Sequence, residues 1–324
     1  MPAAFIATSS GDRVSGHESK ISRRVALLFA LTTATVWGTA YVAAKYALRD
    51  LPPFTAATAR FVIAVAIMAL ILLASGRAEP IKRRDFPLLV AAGLFQTTFY
   101  YALQYTGIGY TTAANTALIV NTRPIWVALL STFLLKESLG LSRIAGILVA
   151  FLGVALLTLG GSDGSFTLDA ESALGDFLIV LNALSGALGI ITLKKVLGRY
   201  SPISTMTYTT AVGAAGLVPL AAYEFWRDGW SPGSAVAWGS VAYMAIFCTV
   251  IPYMLWYNAL ARLRASETAV FLYLTPIISV ILSAFLLDEK ITGWLVIGGA
   301  LILAGAYRAI SAQEPGILAA KPLA

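Results

Sequence analysis

Ala113–Leu135 reads AANTALIVNTRPIWVALLSTFLL, and Ala265–Leu287 reads ASETAVFLYLTPIISVILSAFLL. An apolar run of about 20 residues is long enough to cross a bilayer. Both runs carry a proline at the same place, Pro124 and Pro276, and the first adds Arg123 beside it. Proline removes a backbone hydrogen bond, and a charge near the bilayer centre is costly. Two such interruptions in register point to a duplicated membrane unit.

The repeat extends outward from these runs. Tyr101-Ala-Leu-Gln-Tyr105 aligns with Tyr253-Met-Leu-Trp-Tyr257, and Ser131–Glu137 with Ser283–Glu289. Gly146 and Gly153 align with Gly298 and Gly305; earlier in each half Lys45 matches Lys194 and Pro53 matches Pro202. The spacing of apolar runs predicts ten spans, near 25–45, 55–74, 86–106, 111–134, 141–160, 174–194, 203–223, 236–259, 265–287 and 291–311. Each half then holds an odd number of spans, so the second copy enters the bilayer from the opposite side. The expected fold is an all-α polytopic membrane protein, ten transmembrane helices as two inverted five-helix repeats around a central cavity. Its expected divisions are a tail at 1–24, a first repeat at 25–160, a linker at 161–173, a second repeat at 174–311 and a tail at 312–324.

Composition agrees: 58% of residues are hydrophobic, 12% are charged, and the mean hydropathy is +0.79. Soluble domains carry about 25% charged residues. The net charge of +7 could suggest nucleic acid, but the cations sit in short loops and read as topology determinants. With the amino terminus in the cytoplasm, 17 of the 23 lysines and arginines fall on the inner side. Only Lys45, Arg49, Arg227 and Lys290 fall outside, which leaves Arg60 and Arg123 within spans. Both termini are therefore expected in the cytoplasm, in a bacterial-type inner membrane. Cys248 is the single cysteine, and the single histidine, His17, lies in the polar tail, so no disulfide, metal site or imidazole relay is expected. There is no HExxH motif and no pair of deep aspartates, which argues against an enzyme; no filter-like loop argues for a channel. Inverted repeats that rock about a midplane site are a transporter device. The expected partners are the bilayer and a small molecule, with no cofactor and a monomeric chain.

Trp37-Gly38, Lys45, Pro53 and Arg60, then Ala117, Pro124 and Leu134-Leu135-Lys136-Glu137, with their echoes in the second half, resemble the EamA-type transporters of the drug/metabolite transporter superfamily. Within it, the aromatics and span lengths are similar to those of YddG-type aromatic amino acid exporters. The resemblance implies a cavity lined by spans 1, 3, 4, 6, 8 and 9, with spans 5 and 10 packed behind. The halves differ where Gly186-Ala187 stands for Trp37-Gly38 and Thr209 for Arg60, which predicts an asymmetric site.

Arg123 lies about 16 Å from either end of its span at helical rise. It faces either a substrate carboxylate, which a guanidinium grips through two parallel bonds, or the carbonyls freed by Pro124. Arg60 is expected to snorkel outward or pair with Asp50. Trp37, Gln96, Tyr100, Asn121, Asn182, Tyr253, Trp256 and Tyr273 form the candidate substrate set, with Phe99, Asn115, Tyr257 and Asn258 also in these spans. Tyr105, Tyr110, Trp226 and Trp230 read as interfacial belt residues. Pro124 and Pro276 are candidate hinges, and the four glycines Gly146, Gly153, Gly298 and Gly305 a packing face. No acid lies away from the span ends, so facilitated export of amino acids by alternating access is the expected function. A proton-coupled exporter of drugs or organic cations is the alternative.

Overall fold

The computed structural model describes residues 23–76, 78–123, 125–126, 129–130, 141–160, 169–194, 199–260, 271 and 274–311. Among these the chain forms ten helices. The first half holds α1 (Arg23–Ala47), α2 (Pro53–Ala74), α3 (Phe86–Tyr110), α4 (Ala113–Val120) and α5 (Leu141–Leu159). The second holds α6 (Ala170–Lys194), α7 (Pro202–Asp228), α8, α9 (Leu274–Leu286) and α10 (Gly293–Ser311). Helix α8 runs through Ala235–Ala245, a π-helical turn at Ile246–Val250 and Ile251–Leu260. Helix α3 carries the same device at Leu94–Phe99, the matching place in the repeat. By length and composition α1, α2, α3, α6 and α8 can each cross a membrane. With ten helices, α1 begins and α10 ends on the same side of the bundle, here the terminal face; the other is the distal face.

Helix ends within a bilayer protein need partners for their free N–H groups. Here the two halves supply them to each other. Glu224, near the end of α7, accepts from the Phe54 and Thr55 N–H groups at 2.9 and 2.7 Å, closing the start of α2. Reciprocally, Glu79, after α2, accepts from the Ser201 N–H at 3.0 and 3.1 Å, at the start of α7. Glu289, after α9, accepts from Ala113 and Ala114 N–H at 2.9 and 3.2 Å and closes α4. A carboxylate at a helix N-terminus also meets the positive end of the dipole. The distal ends of α1, α4 and α9 are tied further, because the Lys45 ammonium donates to the Thr111 carbonyl and the Tyr46 hydroxyl to that of Leu286.

Helices α5 and α10 form the closest pair. A Cβ on Gly153 would lie 2.5 Å from the Gly298 carbonyl oxygen, and one on Gly305 2.5 Å from that of Gly146. Each contact is the symmetry copy of the other. Small residues let backbones approach so closely, and close packing drives helix association where lipid offers no hydrophobic gain.

On the terminal face, Asp85 is buried before α3. It accepts from the Tyr200 hydroxyl at 2.9 Å and pairs with Arg199 across the repeat boundary. Burial pushes its pKa up, but the bonds from Tyr200 and Arg199 outweigh this and hold the carboxyl below its ordinary range. A depressed folded-state pKa stabilises above the unfolded value of about 3.9, and that stability is lost as pH falls through the folded value. Asp85→Asn is therefore expected to lower the thermal midpoint at neutral pH. The gap from the parent should close as the pH drops below about 4. A gap constant down to acid pH would contradict the ion-pair account.

Candidate functional site

Tyr101 and Tyr253 are copies of one position in the two repeats, and their side chains are hydrogen-bonded. Symmetry mates that touch lie on the pseudo-twofold axis, so this pair marks the centre of the bundle. Arg123, just past α4, sits beside it. Its Nη2 donates to the Tyr100 hydroxyl, its guanidinium carbon lies 4.5 Å from the centre of the Tyr100 ring, and Tyr41, Tyr101 and Tyr253 lie within its electrostatic reach. Among the described residues no carboxylate pairs with it; the ion pairs are those of Arg84, Arg199 and Arg227.

The room for this guanidinium comes from Gly186, where a Cβ would sit 2.8 Å from Arg123 Nε. In the aligned repeat Gly186 replaces Trp37 and Arg123 replaces Thr275. Thr275 spends its hydroxyl on the Ala34 carbonyl at 3.2 Å, and Trp37 fills the corresponding space against Tyr253 and Trp256, 6.2 and 5.3 Å between ring centres. Each pair joins the two halves: one sets a large ring of the first half against a small polar residue of the second, and the other a glycine of the second against an arginine of the first. That exchange is the asymmetry of the site. Asn182, fully buried on α6, donates to the Tyr100 carbonyl at 2.6 Å, and Gln96 packs against Gly189 about two turns further along α6. Asn121 turns back on its own helix, donating to the Ala117 carbonyl at 2.7 Å.

Trp37, Gln96, Tyr100, Arg123, Asn182, Tyr253 and Trp256 are thus distributed over α1, α3, α6, α8 and the end of α4 around one centre. Pro124 and Tyr273 lie outside the described residues, as do Glu137 and Glu267, while Pro276 is buried in the first turn of α9 as described. Several expectations change. Arg60 neither snorkels nor pairs with Asp50: it is 3% exposed and turned inward. Its Nε donates to Thr249 at 3.1 Å and its Nη2 to the Cys248 carbonyl at 3.5 Å. Pro252 cannot donate to that carbonyl four residues back, so the guanidinium occupies a place the π turn and proline leave open. Tyr105 is not a belt residue but fully buried, its hydroxyl against Met244 and Arg60. Tyr110, Trp226 and Trp230 are exposed, as a belt requires. Phe99 faces outward, lining an apolar lateral groove with Phe95, Leu178 and Leu181.

A buried acid was also missed. Asp176, 1% exposed on α6, accepts from Thr111 at 2.6 Å, Thr158 at 2.8 Å and Asn115 at 3.4 Å. It binds α6 to the α3–α4 turn and the end of α5, well to the distal side of Arg123, and it uses up Asn115. The sequence places it near a span end; only the distal packing makes it buried.

The likeness to known proteins agrees with this architecture. The EamA-like transporter family matches residues 24–159 and again 173–310. An uncharacterised transporter of Archaeoglobus fulgidus is 32% identical over 277 residues, covering 85% of this chain and 95% of that protein. A probable terminal-alkyne amino-acid exporter of Streptantibioticus cattleyicolor is 24% identical, covering 88% and 93%. A solved crystal structure superposes with a TM-score of 0.60 at 22% identity, covering 89% of this chain and 97% of that one, a likeness of fold alone. Two matched segments, one in each inverted half, and ten helices built around the axis they share place the chain in the EamA-like transporter family.

Proposed function

We infer that this membrane transporter exports amino acids, aromatic ones foremost, and that Arg123 grips the substrate carboxylate. The observation that carries the reading is a guanidinium beside the pseudo-twofold axis with rings around it and no carboxylate partner among the described residues. A charge so placed needs a counter-ion, and a carboxylate meets a guanidinium through two charge-assisted bonds. Trp37, Tyr100, Tyr253 and Trp256 supply faces and edges against which an aromatic side chain packs. The similarity to an amino-acid exporter supports the same substrate class. An organic cation would share the rings, but Arg60 and Arg123 would repel it.

Transport proceeds by alternating access, Pro124 and Pro276 serving as hinges between the inverted halves. Lys82, Arg83, Arg84, Arg199 and Arg308 on the terminal face support a cytoplasmic placement of that face, and the protein acts as a monomer. Among the described residues no acid lies beside Arg123, so export runs down the substrate gradient without an ion. The test is a flux panel in proteoliposomes. Phenylalanine, tyrosine and tryptophan should move, tetraalkylammonium ions should not, and an imposed pH gradient should leave the rate unchanged. Flux of the cations alone would overturn the substrate class, and a rate that follows the pH gradient would overturn the uncoupled mechanism.

A further inference from the structure

The orientation of Asn182 is fixed by its partner. Its Nδ2 faces the Tyr100 main-chain carbonyl, a group that only accepts, so its Oδ1 points elsewhere. That oxygen is buried and has no partner among the described residues. Further along α6, Gly186 leaves room for Arg123, whose Nε is likewise buried and unpartnered. Beyond it Gly189 abuts Gln96, whose Oε1 is a third such atom. Asn182 and Arg123 are both anchored on Tyr100, one at its main chain and the other at its hydroxyl. Asn182 and the Gly186 position that faces Arg123 Nε are about one helical turn apart on α6, a separation that a small zwitterion with its hydrogen bonds spans.

We propose that Asn182 Oδ1 receives the substrate's ammonium group, so that the site recognises a zwitterion by both poles. This rests on the amino-acid reading above and specifies it: free α-amino acids bind, and des-amino or N-acylated acids are rejected. Amide oxygens suit the task better than a carboxylate would. A carboxylate so near would pair with Arg123 and compete with the substrate, whereas an amide accepts from an ammonium and leaves the guanidinium free.

The test is a cycle between protein and ligand, using affinities from thermal-shift titration of the purified full chain. The ligands are L-phenylalanine and 3-phenylpropionate, which lacks only the amine. The parent should bind phenylalanine at least tenfold more tightly than 3-phenylpropionate, since a hydrogen bond to a charged group is worth about that factor or more. Asn182→Ala should weaken phenylalanine by about tenfold and leave 3-phenylpropionate within about twofold. Equal weakening of both would mean that Asn182 acts only through the Tyr100 backbone, and would overturn the assignment; so would unchanged phenylalanine binding. Should Asn182→Ala fail to fold, the near-isosteric Asn182→Leu, which leaves no cavity and offers no acceptor, is read by the same criterion. Absence of phenylalanine binding to the parent would instead overturn the amino-acid reading itself.

Discussion

Arg123→Gln is expected to cut phenylalanine flux in proteoliposomes by on the order of 100-fold while the protein still purifies folded. Glutamine keeps a donor that can reach the Tyr100 hydroxyl, so the local fold has a substitute for the bond it loses. It cannot replace the charge or the fork. Two charge-assisted bonds to a carboxylate contribute about 3 kcal/mol or more together, and 1.4 kcal/mol is about tenfold. Folding should not suffer, because the guanidinium has no carboxylate partner among the described residues to leave stranded. Removing a buried charge without breaking an ion pair relieves desolvation rather than exposing a second charge. Arg60→Gln is the comparison. It faces Thr249, Tyr105 and the Cys248 carbonyl rather than the ring cluster, so its loss should act through α8 and not through carboxylate recognition. The readout that separates them is the ratio of phenylalanine to phenethylamine flux, which falls with Arg123→Gln and holds with Arg60→Gln. Retention of phenylalanine flux within a few-fold in Arg123→Gln would end the carboxylate assignment.

These two arginines also show where the sequence is legible and where it is not. Span number, repeat and register follow from apolar length and matched motifs, which are properties of the chain read along its length. The direction in which a side chain points is not such a property when a helix is apolar all round, because the pattern then lacks a polar face to set the phase. Arg60, one or two turns inside α2, could equally reach the interface or the interior. The interior wins because the π turn and Pro252 on α8 offer it a carbonyl and a hydroxyl. Tyr105 is misplaced for the same reason, as its partners Arg60 and Met244 come from other helices. The π turns themselves had one visible trace: Thr97 and Thr249 occupy matching places in the repeat, and Thr249 donates five residues back, to the Met244 carbonyl at 3.0 Å. The centre of the site was legible for a different reason. Arg123 interrupts an apolar run too deep for snorkelling, and the repeat shows that its counterpart is Thr275. The complementary exchange of Trp37 for Gly186 then needs only three dimensions to connect the two anomalies.

The seam between α5 and α10 yields the largest expected effect on stability. Gly153→Leu should abolish recovery of monodisperse protein, and Gly153→Ala should lower stability by about 1–3 kcal/mol, the range for overpacking a tight contact. The obstacle is backbone: a Cβ at Gly153 would meet the Gly298 carbonyl oxygen at 2.5 Å and the Ile302 nitrogen at 2.8 Å. Neither can rotate away as the end of a long side chain would, so α10 must retreat along its length and the mirror contact of Gly305 on Gly146 opens with it. Gly109→Ala is the control, since nothing lies within 4 Å of its added carbon. Thermal midpoints in detergent decide the matter, and a Gly153→Leu protein melting with the parent would show that the seam is not the joint described here. Helices α5 and α10 are the last of each repeat and contribute none of the residues around Arg123. Gly153→Ala should therefore lower the midpoint while leaving the affinity for phenylalanine unchanged. A matching fall in affinity would mean that the seam moves with the site during transport instead of holding the two halves together behind it.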